Sequence, residues 1–467
     1  MMEENKKKMY SEDEVLKRTM KSRHLTMIAI GGTIGSGLFM GSGAVINQAG
    51  PLGSVLAFFI GGIVMFLALL SLGEMAVAMP ISGSFQAYAT RFISPCAGFF
   101  TGWLYYLNWG TAGAMSLIAA SMIMTNWFPM MPEWTWCILF GALLAFLNIM
   151  SAKTFGETEF WFASIKVVAI VVFVVLGAAI IFGIDANTHV NGFANFYKDG
   201  WFPLGIAPIF FTMVIVVTSF QGAELVGIAA GESENPEKNI RSAVKNVGLR
   251  IMLFYIFAIV VLVGILPWKE AGVEESPFAK VFGMIGIPHA YDIMSFVVVT
   301  SCLSSVNSAI YACSRLLWSA AHQQLAPSLL KHTNKAGVPV FGVIATVMLM
   351  MVALLSKTFA AAEVFMWITS ATGFIGCIVW IVIAVCHISF RKKYLELGHK
   401  LEDLKFRVPM AVPVLGILAN CVVIVGMYID PTLRIVVYSG IISLLLIVLC
   451  YYIFVSKAAR VKIKGWS

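Results

Sequence analysis

Charge is what this chain has least of: Asp, Glu, Lys and Arg make up 12% of its 467 residues, while 59% are hydrophobic. Soluble domains carry about a quarter charged residues, so this chain has too few to cover its apolar surface in water. Metal and redox spacings are also missing. None of the eight cysteines falls in a CxxC pair, and Cys302, Cys313, Cys377, Cys386, Cys421 and Cys450 lie inside apolar runs, where they read as small reduced packing residues. The seven histidines form no HExxH pair. With neither metal ligands nor a nucleophile–base pair, neither an enzyme nor a bound cofactor or metal is expected. A channel would be expected to show rings of repeated charge or a filter loop, and the sequence has neither. No cleavable leader is expected, because residues 1–23 are polar and charged.

Long apolar runs, by contrast, fill almost the whole chain. Each reaches the roughly 18 residues that span about 30 Å of hydrocarbon, which makes this an all-α polytopic membrane protein. Spanning helices are predicted near 24–48, 52–79, 97–125, 134–152, 160–184, 203–231, 242–266, 290–321, 338–356, 361–387, 411–429 and 433–456. Gly50-Pro51, Pro80, Pro129, Pro203, Pro267, Pro339 and Pro431 punctuate them.

The net charge of +8 is not a nucleic-acid footprint, because it is confined to short segments between apolar runs. With the N-terminus inside, 25 Lys and Arg residues fall on the cytoplasmic side and five outside: Lys198, Lys269, Lys280, Lys357 and Arg434. That asymmetry places both termini in the cytoplasm, and the chain is expected in the plasma membrane. The partner these runs imply is the lipid bilayer.

Two of the apolar runs are interrupted. The first contains Gly31, Gly32, Thr33, Ile34, Gly35, Ser36 and Gly37 in mid-span; the sixth contains Thr218, Ser219, Phe220, Gln221, Gly222, Ala223 and Glu224. An unwound stretch exposes amides at the start of one half-helix and carbonyls at the end of the other, which suit the two ends of a zwitterion. Gly31/Gly35 and Gly37/Gly41 are also GxxxG pairs, so tight helix packing is the competing reading of the first break. Interruptions at corresponding positions of two halves point to a transporter site.

Further segments carry a resemblance: Arg18-Thr-Met-Lys-Ser-Arg-His24, Ser82-Gly-Ser-Phe85, Gly102-Trp103, Phe160-Trp-Phe162 with Lys166, and Gly231-Glu-Ser-Glu-Asn-Pro236. Together with the two interruptions, they resemble the bacterial amino acid permeases of the amino acid–polyamine–organocation superfamily. The likeness runs from about residue 16 to 456. Pro267-Trp-Lys269, Ser276-Pro-Phe278 and Glu402-Asp-Leu-Lys-Phe406 are similar to the arginine/ornithine and S-methylmethionine permeases.

The resemblance implies a LeuT-type 5+5 inverted repeat with two additional helices. The corresponding divisions are a tail 1–23, a ten-helix core 24–386 (repeats 24–184 and 203–386), a cytoplasmic loop 387–410, helices eleven and twelve in 411–456, and a tail 457–467. It implies that the substrate carboxylate meets amides and the hydroxyl around Gly35, Ser36 and Gly37, next to Ile34. The amino group then meets carbonyls near Thr33, Thr218 and Gln221, with Ser219 and Gly222 in the same break and Phe220 at a gate or floor. In several cation-transporting relatives an acidic residue of helix three stands where this chain has Ser116, which cannot neutralise a cationic side chain.

Lys166 lies about six residues into the predicted fifth helix. That is near enough to the interface for snorkelling. The family implies instead that its amine couples transport to protons, with sodium dispensable. Glu224 either contributes to substrate or proton binding or bonds to the loosened backbone. Glu232 is expected to be solvated at the start of a loop. Glu74 and Arg315 read as ion-pair or interface residues. The function this supports is proton-coupled uptake of a long-side-chain amino acid such as arginine, ornithine, lysine or S-methylmethionine. The alternatives are an exchanger or neutral amino acid permease of the same fold, or a sensor that binds without transport.

Overall fold

The computed structural model describes residues 21–183, 192–244, 248–284 and 288–455, and no β-strand occurs among them. The tail residues 1–20 and 457–467, with Lys6, Lys7, Lys8, Lys17, Arg18, Lys457, Arg460, Lys462 and Lys464, lie outside the described residues, as does Lys245.

Ten helices among the described residues are long and apolar enough to cross a membrane. The first, Thr26–Ala78, is 53 residues long and comprises two crossings. They divide at Gly50, whose φ of 72° and ψ of −174° only glycine adopts without strain, and Pro51 starts the next helix. Gly248–Ile265 supplies one more apolar helix. The bundle thus has the twelve segments expected from the sequence.

In chain order, α1 is Ser22–Thr33 and α2 is Ser42–Ala78, which follows a π-helical turn at Gly37–Gly41 and bends at Gly50. The short α3 is Ser84–Phe92, and α4 is Pro95–Trp127. Next come α5 at Glu133–Met150 and α6 at Ala152–Ile181. The sixth crossing is divided into α7, Met213–Phe220, and α8, Leu225–Ala229. Then follow α9 at Gly248–Ile265, α10 at Ala290–His322 and α11 at Val340–Met350. The last three are α12 at Ala361–Glu396, α13 at Ala411–Ile429 and α14 at Arg434–Phe454.

The two broken crossings occupy equivalent places. α1 packs on α6, the fifth crossing, while α7 packs on α12, the tenth. This is the internal relation of a LeuT-type fold. α4 and α10 run along each other through the middle. At the periphery, α14 buries only Val437, Ile447 and Tyr451. Leu143, Phe146, Leu415, Leu418 and Leu445 face outward, a surface that only lipid solvates.

Two helix ends differ from the sequence reading. α6 begins at Ala152, not near 160, because the Ser151 hydroxyl accepts the Thr154 amide at 3.0 Å and caps the helix. Apolar content is a poor guide to this start, since Lys153, Glu157 and Glu159 all fall in the first two turns. α12 continues past 387 to Glu396. His387 and Arg391 are therefore buried helix residues and not part of a loop.

Candidate substrate and coupling site

α1 ends at Thr33, and the resumed helix makes its first backbone bonds from the Leu38 and Phe39 amides to Gly35 O, both at 3.1 Å. The amides of Ser36 and Gly37 precede those bonds, as at any helix start. In the sixth crossing, residues 221–224 form a turn between α7 and α8. The two breaks touch: a Cβ placed on Gly222 (φ 113°) would lie 2.3 Å from Gly32 O, and one on Gly37 would lie 2.6 Å from Ser219 Cα. The glycines of both interruptions therefore serve close helix packing where the breaks meet.

A small cavity lies at this crossing. Thr33, Gly35, Ser36, Gly37, Ser116, Thr218, Ser219 and Gln221, all named from the sequence as substrate candidates, border it. Ser36 Oγ and Ser116 Oγ are hydrogen-bonded at 2.9 Å, joining α4 to the helix-one break. Three of the sequence candidates are not on the lining. Phe220 is stacked on Tyr255 (ring centroids 4.4 Å apart) and meets Phe58 edge-on, so its ring belongs to the packed core. Ile34 contributes its carbonyl, not its side chain. Gly222 serves the helix contact.

The side chains of the second break hold the protein together. Gln221 Oε1 accepts from Asn108 at 2.8 Å, and its Nε2 donates to Thr372 O at 3.1 Å, which ties the break to α4 and α12. Thr218 Oγ1 donates to Val214 O and Thr369 O. Glu224 Oε2 accepts the Gly222 amide at 3.1 Å, and its other oxygen accepts Tyr105 OH at 3.3 Å. Of its two roles, bonding to the loosened backbone is the one this geometry displays. Tyr255 OH bridges the breaks, 2.8 Å from Thr33 O and 2.7 Å from Ser219 O.

Lys166 does not snorkel. It stands fourteen residues beyond Ala152, about 21 Å along α6, and is fully buried. Its Nζ donates to Gly31 O at 2.6 Å, Ile34 O at 2.8 Å and Ser304 Oγ at 2.8 Å. Ser301 Oγ also reaches Ile34 O at 3.0 Å. The amine thus fills a nest of carbonyl and hydroxyl oxygens between the helix-one break and α10.

Other charges are likewise placed by pairing. Glu232 is buried, not solvated: it accepts Arg315 Nε at 3.0 Å and Tyr311 OH at 2.8 Å. Glu74 takes both Nε and an Nη of Arg391 at 2.6 Å and the Val408 amide at 2.7 Å, with His387 Nε2 3.1 Å away. Each carboxylate has a charged partner and further donors, as buried ion pairs need.

Sequence reasoning passed over three groups. Trp109, in the middle of α4, borders the cavity; a single tryptophan inside an apolar run gave no signal of its own. Tyr255 gave no signal inside its apolar run. Glu159 is fully buried and accepts from Ser304 Oγ at 2.5 Å. The Ser151 cap would have revealed it, because a helix starting there carries Glu159 and Lys166 two turns apart on one face.

Twelve apolar crossings among the described residues, around two touching breaks with backbone poles, hydroxyls and a buried amine, define a membrane transporter of the LeuT type. Comparison with known proteins narrows the class. The amino acid permease model matches residues 24–464. The amino-acid permease RocE of Bacillus subtilis (strain 168) is 45% identical over 447 residues, 95% of this chain and 96% of its own. The lysine-specific permease LysP of Escherichia coli (strain K12) is 40% identical over 84% of this chain and 82% of its own. The histidine permease HisP of Lactococcus lactis subsp. cremoris (strain MG1363) is also 40% identical, over 84% of each. The chain belongs to the amino acid permease family.

Proposed function

We propose that this protein is a proton-coupled symporter that carries a long-side-chain amino acid into the cell. Arginine, ornithine, lysine and S-methylmethionine are the candidates, and both termini are cytoplasmic. The single observation that carries the coupling is Lys166, fully buried and donating to Gly31 O, Ile34 O and Ser304 Oγ at the break. With its ammonium in place, the end of α1 and the break that follows it are held to α6 and α10. Loss of the proton removes the charge from those three bonds and weakens them. Protonation is thereby linked to the position of α1.

The substrate carboxylate belongs at the Ser36 and Gly37 amides and the Ser36 hydroxyl, where a helix start favours an anion. The ammonium lies towards the carbonyls at the end of α7. The preference for a long basic side chain draws on the relatives named for lysine and histidine. The positive-inside count supports the orientation.

Uptake of labelled amino acids into sodium-free proteoliposomes, at fixed outer pH with the inner pH varied, tests both parts. Accumulation that follows the gradient is expected, at about tenfold per pH unit for one proton per substrate. Uptake that ignores the gradient overturns the coupling. Competition by small neutral amino acids alone overturns the side-chain preference.

A further inference from the structure

The proposed coupling requires a route for the Lys166 proton, and the chain of hydrogen bonds does not stop at the amine. Lys166 Nζ donates to Ser304 Oγ at 2.8 Å, and that hydroxyl donates to Glu159 Oε1 at 2.5 Å. Beyond it, Asn307 Nδ2 reaches Glu159 Oε2 at 3.4 Å, and Asn148 Nδ2 donates to Asn307 Oδ1 at 2.7 Å. Acid and amine are both fully buried on α6. Seven residues separate them, about 10 Å along the axis, with Glu159 nearer the start of the helix. Space for the carboxylate comes from α1: a Cβ on Gly31 would lie 2.3 Å from Glu159 Oε1. The same glycine whose carbonyl accepts from Lys166 therefore also makes room for Glu159.

We propose that Glu159 is the inward acceptor of the Lys166 proton and that Ser304 passes it across. In the transfer, one Nζ–H bond breaks as a new O–H bond forms on Ser304. The original hydroxyl O–H breaks as its proton moves to Glu159 Oε1. An ammonium and a carboxylate become an amine and a carboxylic acid, with no net change in charge and no water required. Each contact then keeps a hydrogen bond in reversed sense. Glu159 donates to Ser304, Ser304 donates to the amine lone pair, and the two remaining N–H groups stay on Gly31 O and Ile34 O. What α1 loses is the charge that strengthened its hold. This inference rests on the proton-coupled reading above and extends it.

The surroundings leave Glu159 as the acidic partner of this amine. On α10, Cys302 lies beside Lys166 and Asn307 beside Glu159. From α5 comes Asn148, and from α1 the carbonyls of Gly31 and Ile34. Nearer the start of α6, Phe155 stacks on Tyr311 at 4.0 Å, whose hydroxyl together with Arg315 is committed to Glu232. Arg23 and Glu157 pair at 2.5 Å near the surface.

The test uses the full chain in sodium-free proteoliposomes with labelled L-arginine, L-ornithine, L-lysine and L-histidine, and an entrapped pH dye to follow proton entry. Wild type, Glu159→Gln, Ser304→Ala and Ser304→Thr are compared in gradient-driven uptake and in counterflow. The expected result is that Glu159→Gln and Ser304→Ala lose the roughly tenfold accumulation per pH unit and the dye signal, while counterflow persists. Ser304→Thr, which keeps the hydroxyl, restores both. If Glu159→Gln and Ser304→Ala follow the gradient as wild type does, the relay is overturned and Glu159 serves packing only. A flat gradient response in the wild type itself removes the proton-coupled reading, a separate failure. Loss of counterflow in both variants and in Ser304→Thr alike assigns the cluster to folding and also overturns the relay.

Discussion

The two broken helices look alike in sequence and differ in how their backbone ends are satisfied. At the second break the protein's own side chains do the work: Glu224 takes the Gly222 amide, Gln221 is held by Asn108 and Thr372, and Tyr255 takes Ser219 O. At the first break Lys166, a group whose charge can change, holds the Gly31 and Ile34 carbonyls, with Ser301 also on Ile34 O and Tyr255 on Thr33 O, and Ser36 and Gly37 border the cavity. A break closed by fixed partners serves as scaffold. A break closed on one side by a titratable amine and open on the other can bind and move. On the proposed function, the first helix carries the carboxylate site and the coupling, and the sixth positions it.

The sharpest way to break the comparison is Gly37→Val. Its side chain would overlap Ser219 Cα, 2.6 Å from the Cβ position, and would cover the amides assigned to the carboxylate. Binding of every amino acid should disappear together, with protein still present in the membrane. A well-expressed mutant that binds with wild-type affinity would move the carboxylate site elsewhere.

Next in size is Lys166→Ala. Gradient-driven accumulation should fall from about tenfold per pH unit to none. Some binding and exchange should survive, because the cavity lining is untouched. The sign follows from the charge: the protonated amine holds the break, so uptake strengthens as the outer pH falls at fixed inner pH. Gradient-driven accumulation that persists in the mutant would make Lys166 a packing residue only.

Glu224 sharpens the contrast from the other side. Glu224→Gln retains an oxygen to accept the Gly222 amide, so the gradient response should remain near wild type. Glu224→Ala leaves that buried amide unpaired at a cost of about 1–3 kcal/mol, and thermal stability in detergent should drop with it. If Glu224→Gln abolishes the pH response, the sixth helix shares the coupling and the comparison fails.

Much of this was legible in the sequence because hydrocarbon imposes strict rules. Apolar runs of spanning length gave the helices, and glycine and hydroxyl residues in mid-span gave both breaks. Helix ends rich in charge were harder. Lys153, Glu157 and Glu159 look like loop residues until the Ser151 cap is weighed, and misplacing that end made Lys166 a candidate snorkeller and hid Glu159. Pairing over long separations left no local trace at all. Glu232 with Arg315, Glu74 with Arg391, and Tyr255 between the breaks depend on which helices pack together. Phe220 shows the reverse error: a motif position that suggests a gate, whose ring packs against Tyr255 and Phe58.

The smallest effect expected is that of Ser116→Ala. Acidic residues at this position in cation-transporting relatives suggested contact with the substrate side chain. In the fold, however, Ser116 Oγ bonds to Ser36 Oγ at 2.9 Å, at the end of the cavity assigned to the carboxylate. Removing one hydrogen bond between neutral groups costs about 0.5–1.5 kcal/mol, so affinity should fall roughly two- to tenfold for all amino acids alike. Ser116→Glu turns the same position into a test of sign. A carboxylate beside Ser36 would face the substrate carboxylate, and like charges at close range disfavour each other. Uptake of arginine and of neutral amino acids should then fall together. A Ser116→Glu protein that gains arginine uptake while losing neutral competitors would instead place Ser116 at the side-chain end and reverse the orientation of the substrate in the cleft.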